Sequence, residues 1–214
     1  MRIVLFGAPG VGKGSQASLL FENEGLKHIS TGIMLRRAIA DDSSVGREAK
    51  RYMDAGALVP GTVVRKLAEK AIADSEFDQF VLDGYPRTIE QAEWLSEFLE
   101  SNDAPLLAVV YLKVPDDIIV NRISNRRVHV ETGENFHLEY KPPPTGIDPS
   151  LIIQRDDDRP EAILNRLLVY HEETRPLEDY FRERDLLLIV DGVGSFQEVH
   201  SRVMGALREL QAEL

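Results

Sequence analysis

Gly7-Ala8-Pro9-Gly10-Val11-Gly12-Lys13-Gly14-Ser15 is the stretch on which the reading of this chain turns. An apolar run, Ile3 to Phe6 with Met1 behind it, leads into it, and Ala17, Leu19, Leu20 and Phe21 follow at helical spacing. The context is strand, glycine loop, helix. Such a loop leaves successive backbone N–H groups without partners. With the positive end of the following helix they form a nest for phosphate oxygens. Gly10, Gly12 and Gly14 let the backbone approach an anion with no Cβ in the way. Lys13 can reach β- and γ-phosphates, and Ser15 a metal ion that bridges them. The spacing fits G-x-x-x-x-G-K, although Gly14 follows the lysine and the hydroxyl arrives one place later. The dinucleotide pattern G-x-G-x-x-G fails at Ser15. The plain alternative is a glycine-rich strand-to-helix turn with no ligand.

The chain has 214 residues, enough for one sizeable core with small appended parts. Hydrophobic residues are 43% and charged residues 29%, ordinary values for a globular protein in water. No apolar run is long enough for a membrane span, and the N-terminus does not read as a signal peptide. With no cysteine, disulfides and thiolate metal sites are excluded; this leaves the compartment open, with the cytoplasm as the default expectation. A formal net charge of −11 argues against nonspecific binding to nucleic acid. Arginines must then be concentrated locally if the protein holds polyphosphate.

Further along, 80–84, 106–112 and 186–190 read as buried strands, with 28–29 a shorter one. Helical patterns follow Ser30-Thr31-Gly32 and cover 45–53, 63–73, 89–99, 162–170, 176–184 and the tail from Phe196. A helix opening at Pro115 is expected to end in Arg126-Arg127, which places Arg122 and Arg126 on one face. Residues 128–158, with three consecutive prolines at 142–144, read as short strands and turns. Strands alternating with helices predict an α/β fold, a parallel sheet with helices on both faces. Ligands bind such sheets at the carboxyl ends of the strands. The glycine loop, Asp83-Gly84 and Asp191-Gly192 all lie at such ends. Arg36, Arg87, Arg122, Arg126, Arg155 and Arg166 are candidate phosphate clamps, because a guanidinium binds phosphate in two places and stays charged. Asp83 stands where a metal-organising acid would, or else caps a helix. The run Asp156–Asp158 is a solvated turn or a set of partners for arginines.

Five segments in order resemble adenylate kinase of the long bacterial form. They are the glycine loop, Ser30-Thr31-Gly32-x-x-Leu35-Arg36, Asp83-Gly84-Tyr85-Pro86-Arg87-Thr88 with Gln91, Asn125-Arg126-Arg127-Val128-His129, and Arg155 followed by Asn165-Arg166-Leu167. The resemblance spans essentially the whole chain. It implies the three-layer P-loop NTPase fold, with a core of 1–29, 60–124 and 161–214, a small helical AMP-binding insertion at 30–59, and a β-rich lid at 125–160. It implies reversible phosphoryl transfer between ATP and AMP, giving ADP, with Mg²⁺ and by a monomer. ATP would be held by Gly10, Val11, Gly12, Lys13, Gly14, Ser15, Arg122, Arg126, Asn135 and Phe136, with Gly194 offering its carbonyl to the adenine. AMP would be held by Thr31, Arg36, Ala57, Leu58, Val59, Gly84, Tyr85, Pro86, Arg87, Gln91, Arg155 and Arg166. Lys13, Arg87, Arg126, Arg155 and Arg166 would serve the transfer itself. Ser15 and Asp83 would hold the metal, mostly through water.

Three departures from the family pattern stand out. Ile33 replaces an aspartate that helps hold the metal's waters. The lid has no cysteines, so no structural zinc is expected, and His129, Thr132, Asp148 and Ser150 are expected to form a hydrogen-bonded cluster instead. Asp156 stands where relatives often carry a basic residue. A kinase for another nucleoside monophosphate and a non-catalytic nucleotide-binding switch are the competing readings. Thr31 and Gln91 favour AMP over the first, and the arginine set disfavours the second.

Overall fold

A computed structural model describes residues 1–213. The expected core segment 161–214 ends on residue 214, outside the described residues. The strands are β1 (Arg2–Phe6), β2 (Lys27–Ser30), β3 (Phe80–Asp83), β4 (Ala108–Lys113), β5 (Arg126–His129), β6 (Asn135–His137), β7 (Ile152–Ile153) and β8 (Leu187–Asp191). The helices are α1 (Lys13–Glu24), α2 (Thr31–Ala40), α3 (Ser44–Asp54), α4 (Gly61–Asp74), α5 (Ile89–Glu100), α6 (Asp116–Ser124), α7 (Pro160–Val169), α8 (Leu177–Arg182) and α9 (Phe196–Glu213).

Five strands pair in parallel in the order β2-β3-β1-β4-β8. The central strands are apolar without alternation because helices cover both faces; Ile3, Val4, Phe80, Val81, Val109 and Leu112 are almost wholly buried. β1 lies between β3 and β4, so the chain leaves it toward opposite sides of the sheet, and the glycine loop sits at this reversal of strand order. Asp83 and Asp191 end β3 and β8 on the same edge.

Between β2 and β3 the chain makes helices α2 to α4. Ser30 caps α2 by accepting from the Ile33 N–H, and Ser43 caps α3 by accepting from the Gly46 N–H at 3.0 Å. Gly46 permits the close crossing of α2 and α3, since a Cβ there would stand 1.9 Å from the Ala38 carbonyl oxygen. Residues 125–153 supply the second sheet, antiparallel in the order β6-β5-β7, as the turn-rich composition predicts.

Several element boundaries differ from expectation, and two of the differences change the element that follows. α6 ends at Ser124, and Arg126 and Arg127 begin β5 instead of closing the helix. Pairing of Arg126 with His137, together with the Leu138 N–H donated to the Asn125 carbonyl, overrides the helical pattern. Arg122 and Arg126 therefore do not share a helix face. The helix expected to run to Tyr170 starts earlier, at Pro160, and passes at Tyr170 into a π-helical turn that reaches Thr174.

Candidate active site

The glycine loop wraps the end of β1 and feeds α1, whose N-cap is Gly12 at φ 102°. The first N–H groups of a helix have no partner within it, and among the described residues no turn or loop carbonyl takes up those of Lys13, Gly14 and Ser15. The Lys13 ammonium folds back over the loop and donates to the Gly7 and Ala8 carbonyls at 2.7 and 2.8 Å. Burial lowers its pKa to about 7, and Arg87, Arg166 and Arg126 push in the same direction while Asp83 opposes them.

Asp83 lies across the crevice from the start of α1, with Oδ2 3.6 Å from where a Gly14 Cβ would stand. Ser30 Oγ donates to that oxygen at 3.4 Å, and His28 Nε2 lies 3.5 Å from it. Burial alone would raise the Asp83 pKa; His28, Lys13 and Arg87 together hold it below the ordinary value. His28 is a neighbour of Asp83 that sequence reasoning missed. Its position two residues before the end of β2 is the signal, because alternate side chains share a sheet face.

The arginines converge from separate elements. Arg126, at the head of β5, grips Asp158 with two N–H groups, the Nε–Oδ2 bond being 2.8 Å. Arg166, on α7, donates to Asp158 Oδ1 at 3.1 Å and to the Asp157 carbonyl at 2.9 Å, and lies 3.0 Å from Asp157 Oδ2. Asp158 is fully buried, and Arg126 and Arg166 are four-fifths buried. Arg155 donates to Asn135 Oδ1 at 2.8 Å, and its Nε is buried with no partner. Burial pushes the pKa of Arg36, Arg155 and Arg166 down. Arg126 goes the other way: burial disfavours its charge, but Asp158 more than compensates. Lys13, Arg36, Arg87, Arg126, Arg155 and Arg166 make six cations in electrostatic contact here, against three carboxylates, Asp83, Asp157 and Asp158. A chain of net charge −11 has thus gathered a local positive excess.

Beside this cluster is a cleft open to solvent, with a cavity volume of about 70 Å³. Of the residues that the resemblance implies for AMP, Thr31, Arg36, Ala57, Leu58, Val59, Gly84, Arg87, Gln91 and Arg166 line it, together with Val64 and Asp157, whereas Tyr85, Pro86 and Arg155 do not. Thr31 Oγ1 and Arg87 Nε both donate to the Gly84 carbonyl, at 3.0 and 2.8 Å. Gln91 Oε1 accepts from the Arg87 N–H at 2.8 Å, which leaves the Gln91 amide nitrogen as the group offered to the cavity. Tyr85 and Pro86 are buried in the turn that follows β3.

On the other flank, Arg122 donates to the Gly192 carbonyl through both terminal nitrogens at 3.1 Å, and to Val11 O at 3.4 Å. It ties the glycine loop to the loop carrying Gly194, whose φ is 126°. Asn135 is exposed, whereas Phe136 is 3% exposed, its ring packed under the Lys141 ammonium at 5.4 Å. Ile33 is 51% exposed on the first turn of α2 and offers no oxygen.

The expected four-residue lid cluster is not formed. His129 Nδ1 accepts from the Glu131 and Thr132 N–H groups, and Asp148 accepts from the Ser150 N–H and hydroxyl. Each pair closes its own turn, among the described residues no hydrogen bond joins the two, and Thr132, Asp148 and Ser150 are exposed. Short-range turns satisfy these groups before a longer contact can form. No group of three His, Cys, Asp or Glu among the described residues could hold a metal ion unaided.

A sequence model of the adenylate kinase family matches residues 5–186. An adenylate kinase of Salinibacter ruber is 58% identical over 99% of this chain and its own full length. One from Streptomyces avermitilis is 42% identical over 99% of both chains, and one from Staphylococcus epidermidis 39% identical over 98% of this chain and all of its own. Glycine loop, half-buried strand-end aspartate, converging arginines and full-length identity agree, and the chain belongs to the adenylate kinase family of nucleoside monophosphate kinases.

Proposed function

We propose that the chain transfers the γ-phosphoryl group of ATP to AMP, reversibly, giving two ADP. The observation that carries this reading is the excess of six cations over three carboxylates around the glycine loop. Phosphoryl transfer asks for positioning and for charge around the equatorial oxygens, with little covalent chemistry from the protein. Gly10 to Ser15 would hold the ATP phosphates, Arg122 and Gly194 the base, and Asn135 and Phe136 would approach from the lid. Because the Phe136 side chain is committed to packing, its contribution would come from the backbone.

AMP would occupy the cavity between α2 and Gln91. The Gln91 amide nitrogen would donate to the adenine edge, and Arg36, Arg87, Arg155 and Arg166 would grip the AMP phosphate. That phosphate oxygen attacks in line, so no side chain needs to act as nucleophile. Residues 30–59 and 125–160 would close over the two nucleotides, excluding water that would otherwise turn the enzyme into an ATPase. Arg126 and Arg166 would exchange part of their grip on Asp157 and Asp158 for phosphate as they do so.

Ser15 and Asp83 fit a magnesium ion held mainly through water and nucleotide oxygens. Asp83 is a carboxylate kept ionised, aimed at the helix start that carries Ser15. Ser15 and Asp83 would hold the ion with ATP, where it would supply neutralisation of the phosphate charge. We place the protein in the cytoplasm as a monomer; no helix is long and apolar enough to cross a membrane among the described residues. A coupled assay of ADP formation tests the reading: turnover should depend on AMP, with CMP, UMP and GMP poor acceptors. ATP hydrolysis indifferent to AMP, or preference for a pyrimidine acceptor, would overturn it.

A further inference from the structure

The loop 191–195 is held more firmly than a surface loop needs to be. Asp191 Oδ1 accepts from the Val193 N–H at 3.0 Å, closing a turn across Gly192. Ser195 and Glu198 form a reciprocal capping box: Glu198 Oε2 accepts from the Ser195 N–H at 2.8 Å, and Ser195 Oγ accepts from the Glu198 N–H at 3.3 Å. Arg202, one turn further along α9, donates through one terminal nitrogen to the Asp191 carbonyl at 2.9 Å and the Val193 carbonyl at 2.6 Å.

Asp191 O and Val193 O belong to Arg202, and Gly192 O to Arg122. Ser195 O accepts from the Val199 N–H inside the helix, and Phe196 O accepts from Gln16 Nε2 at 3.0 Å. Gly194 O alone in this stretch has no donor among the described residues. Its direction is fixed from both sides. A trans peptide places C=O opposite N–H, so the Ser195 N–H held by Glu198 turns the Gly194 carbonyl the other way. The preceding peptide plane is pinned by Arg202 at the Val193 carbonyl.

We propose that Glu198 and Arg202, four residues apart on one face of α9, are positioning residues that aim the Gly194 carbonyl at the adenine amino group of the phosphate donor and so set its preference for ATP over GTP. The inference rests on the reading of Gly194 as the adenine contact. Adenine presents an N–H donor to a fixed carbonyl, whereas guanine presents a carbonyl oxygen at the same place, and two acceptors repel. A loop free to turn accepts both bases poorly and discriminates less.

The experiment measures kcat and KM with ATP and with GTP, at saturating AMP, for the full chain and for Arg202→Met, Glu198→Ala and Glu198→Gln, alongside thermal midpoints. For Arg202→Met and Glu198→Ala the ratio of kcat/KM for ATP over GTP should fall about tenfold, the effect of one hydrogen bond. The loss should lie in the KM for ATP, with the KM for AMP unmoved. Glu198→Gln keeps an acceptor oxygen and should keep the wild-type ratio. A purely structural role would lower the thermal midpoint while leaving that ratio intact, and this result in both Arg202→Met and Glu198→Ala overturns the proposal. A wild-type enzyme that uses ATP and GTP equally overturns the adenine reading at Gly194 itself, and the proposal with it.

Discussion

Replacing Asp158 with Asn tests the charge balance of the site where it is most exposed to failure. Asp158 is fully buried and serves Arg126 and Arg166 at once. The substitution keeps the shape and one acceptor oxygen but removes the negative charge, leaving two largely buried guanidinium groups with Asp157 alone. Breaking a buried ion pair by removing one partner costs about 3–5 kcal/mol. Asp157 remains 3.0 Å from Arg166, so the lower end, about 3 kcal/mol, is expected. For a domain of this size that corresponds to a fall of about 6–12 °C in the thermal midpoint. Calorimetry with and without tripolyphosphate separates charge from packing. The variant should recover more of its midpoint with the anion than the wild type gains, because phosphate takes the place of the lost carboxylate. A midpoint within about 2 °C of wild type, or an equal gain from the anion in both proteins, would refute the argument.

Other perturbations follow from the same geometry. Lys13 titrates near 7 in the free protein, and a bound triphosphate favours its charged form, so binding should draw in a proton above that pH. Calorimetric titrations at pH 8 in buffers of different ionisation enthalpy should show uptake that disappears in Lys13→Met, and the apparent affinity should weaken as pH rises; no difference between buffers would count against the assignment. Lys13→Met and Arg87→Met should each lower turnover by about 100-fold or more, read in the coupled ADP assay, and a loss under tenfold would remove the assigned role. Ile33→Asp should lower the Mg²⁺ concentration needed for half-maximal turnover, and an unchanged titration would show that Ser15, Asp83 and water suffice. Gly46→Ala forces a methyl group into the α2–α3 crossing, 1.9 Å from the Ala38 carbonyl oxygen, and should cost about 3 kcal/mol in urea unfolding.

The features legible in the sequence are those whose chemistry is local. The glycine loop, the apolar strands and Asp83-Gly84-Tyr85-Pro86-Arg87 each declare themselves within a few residues, and Thr31, Arg36, 57–59 and Gln91 do line one cavity. What escaped depends on contacts distant in sequence. Nothing near Arg126 announces that pairing with His137 ends α6 two residues early, or that its partner is Asp158, thirty-two positions away. His28 lies beside Asp83 only because β2 and β3 are neighbours. The lid cluster failed for the opposite reason: His129 and Asp148 are satisfied by backbone groups two or three residues on, which no longer-range pattern reveals. Ser195-x-x-Glu198 is a legible capping box, but its consequence for Gly194 emerges only once Arg202 and Arg122 are seen holding the adjoining carbonyls.

The proposed transfer requires cations from separate elements to close around one polyphosphate. The most direct measurement is a crystal structure of the complex with a two-headed inhibitor, two adenosines joined by a pentaphosphate. The account predicts Lys13 Nζ and guanidinium nitrogens of Arg36, Arg87, Arg126, Arg155 and Arg166 within about 3 Å of phosphate oxygens. Both heads bound, with those groups still paired to Asp157 and Asp158 or turned to solvent, would contradict it.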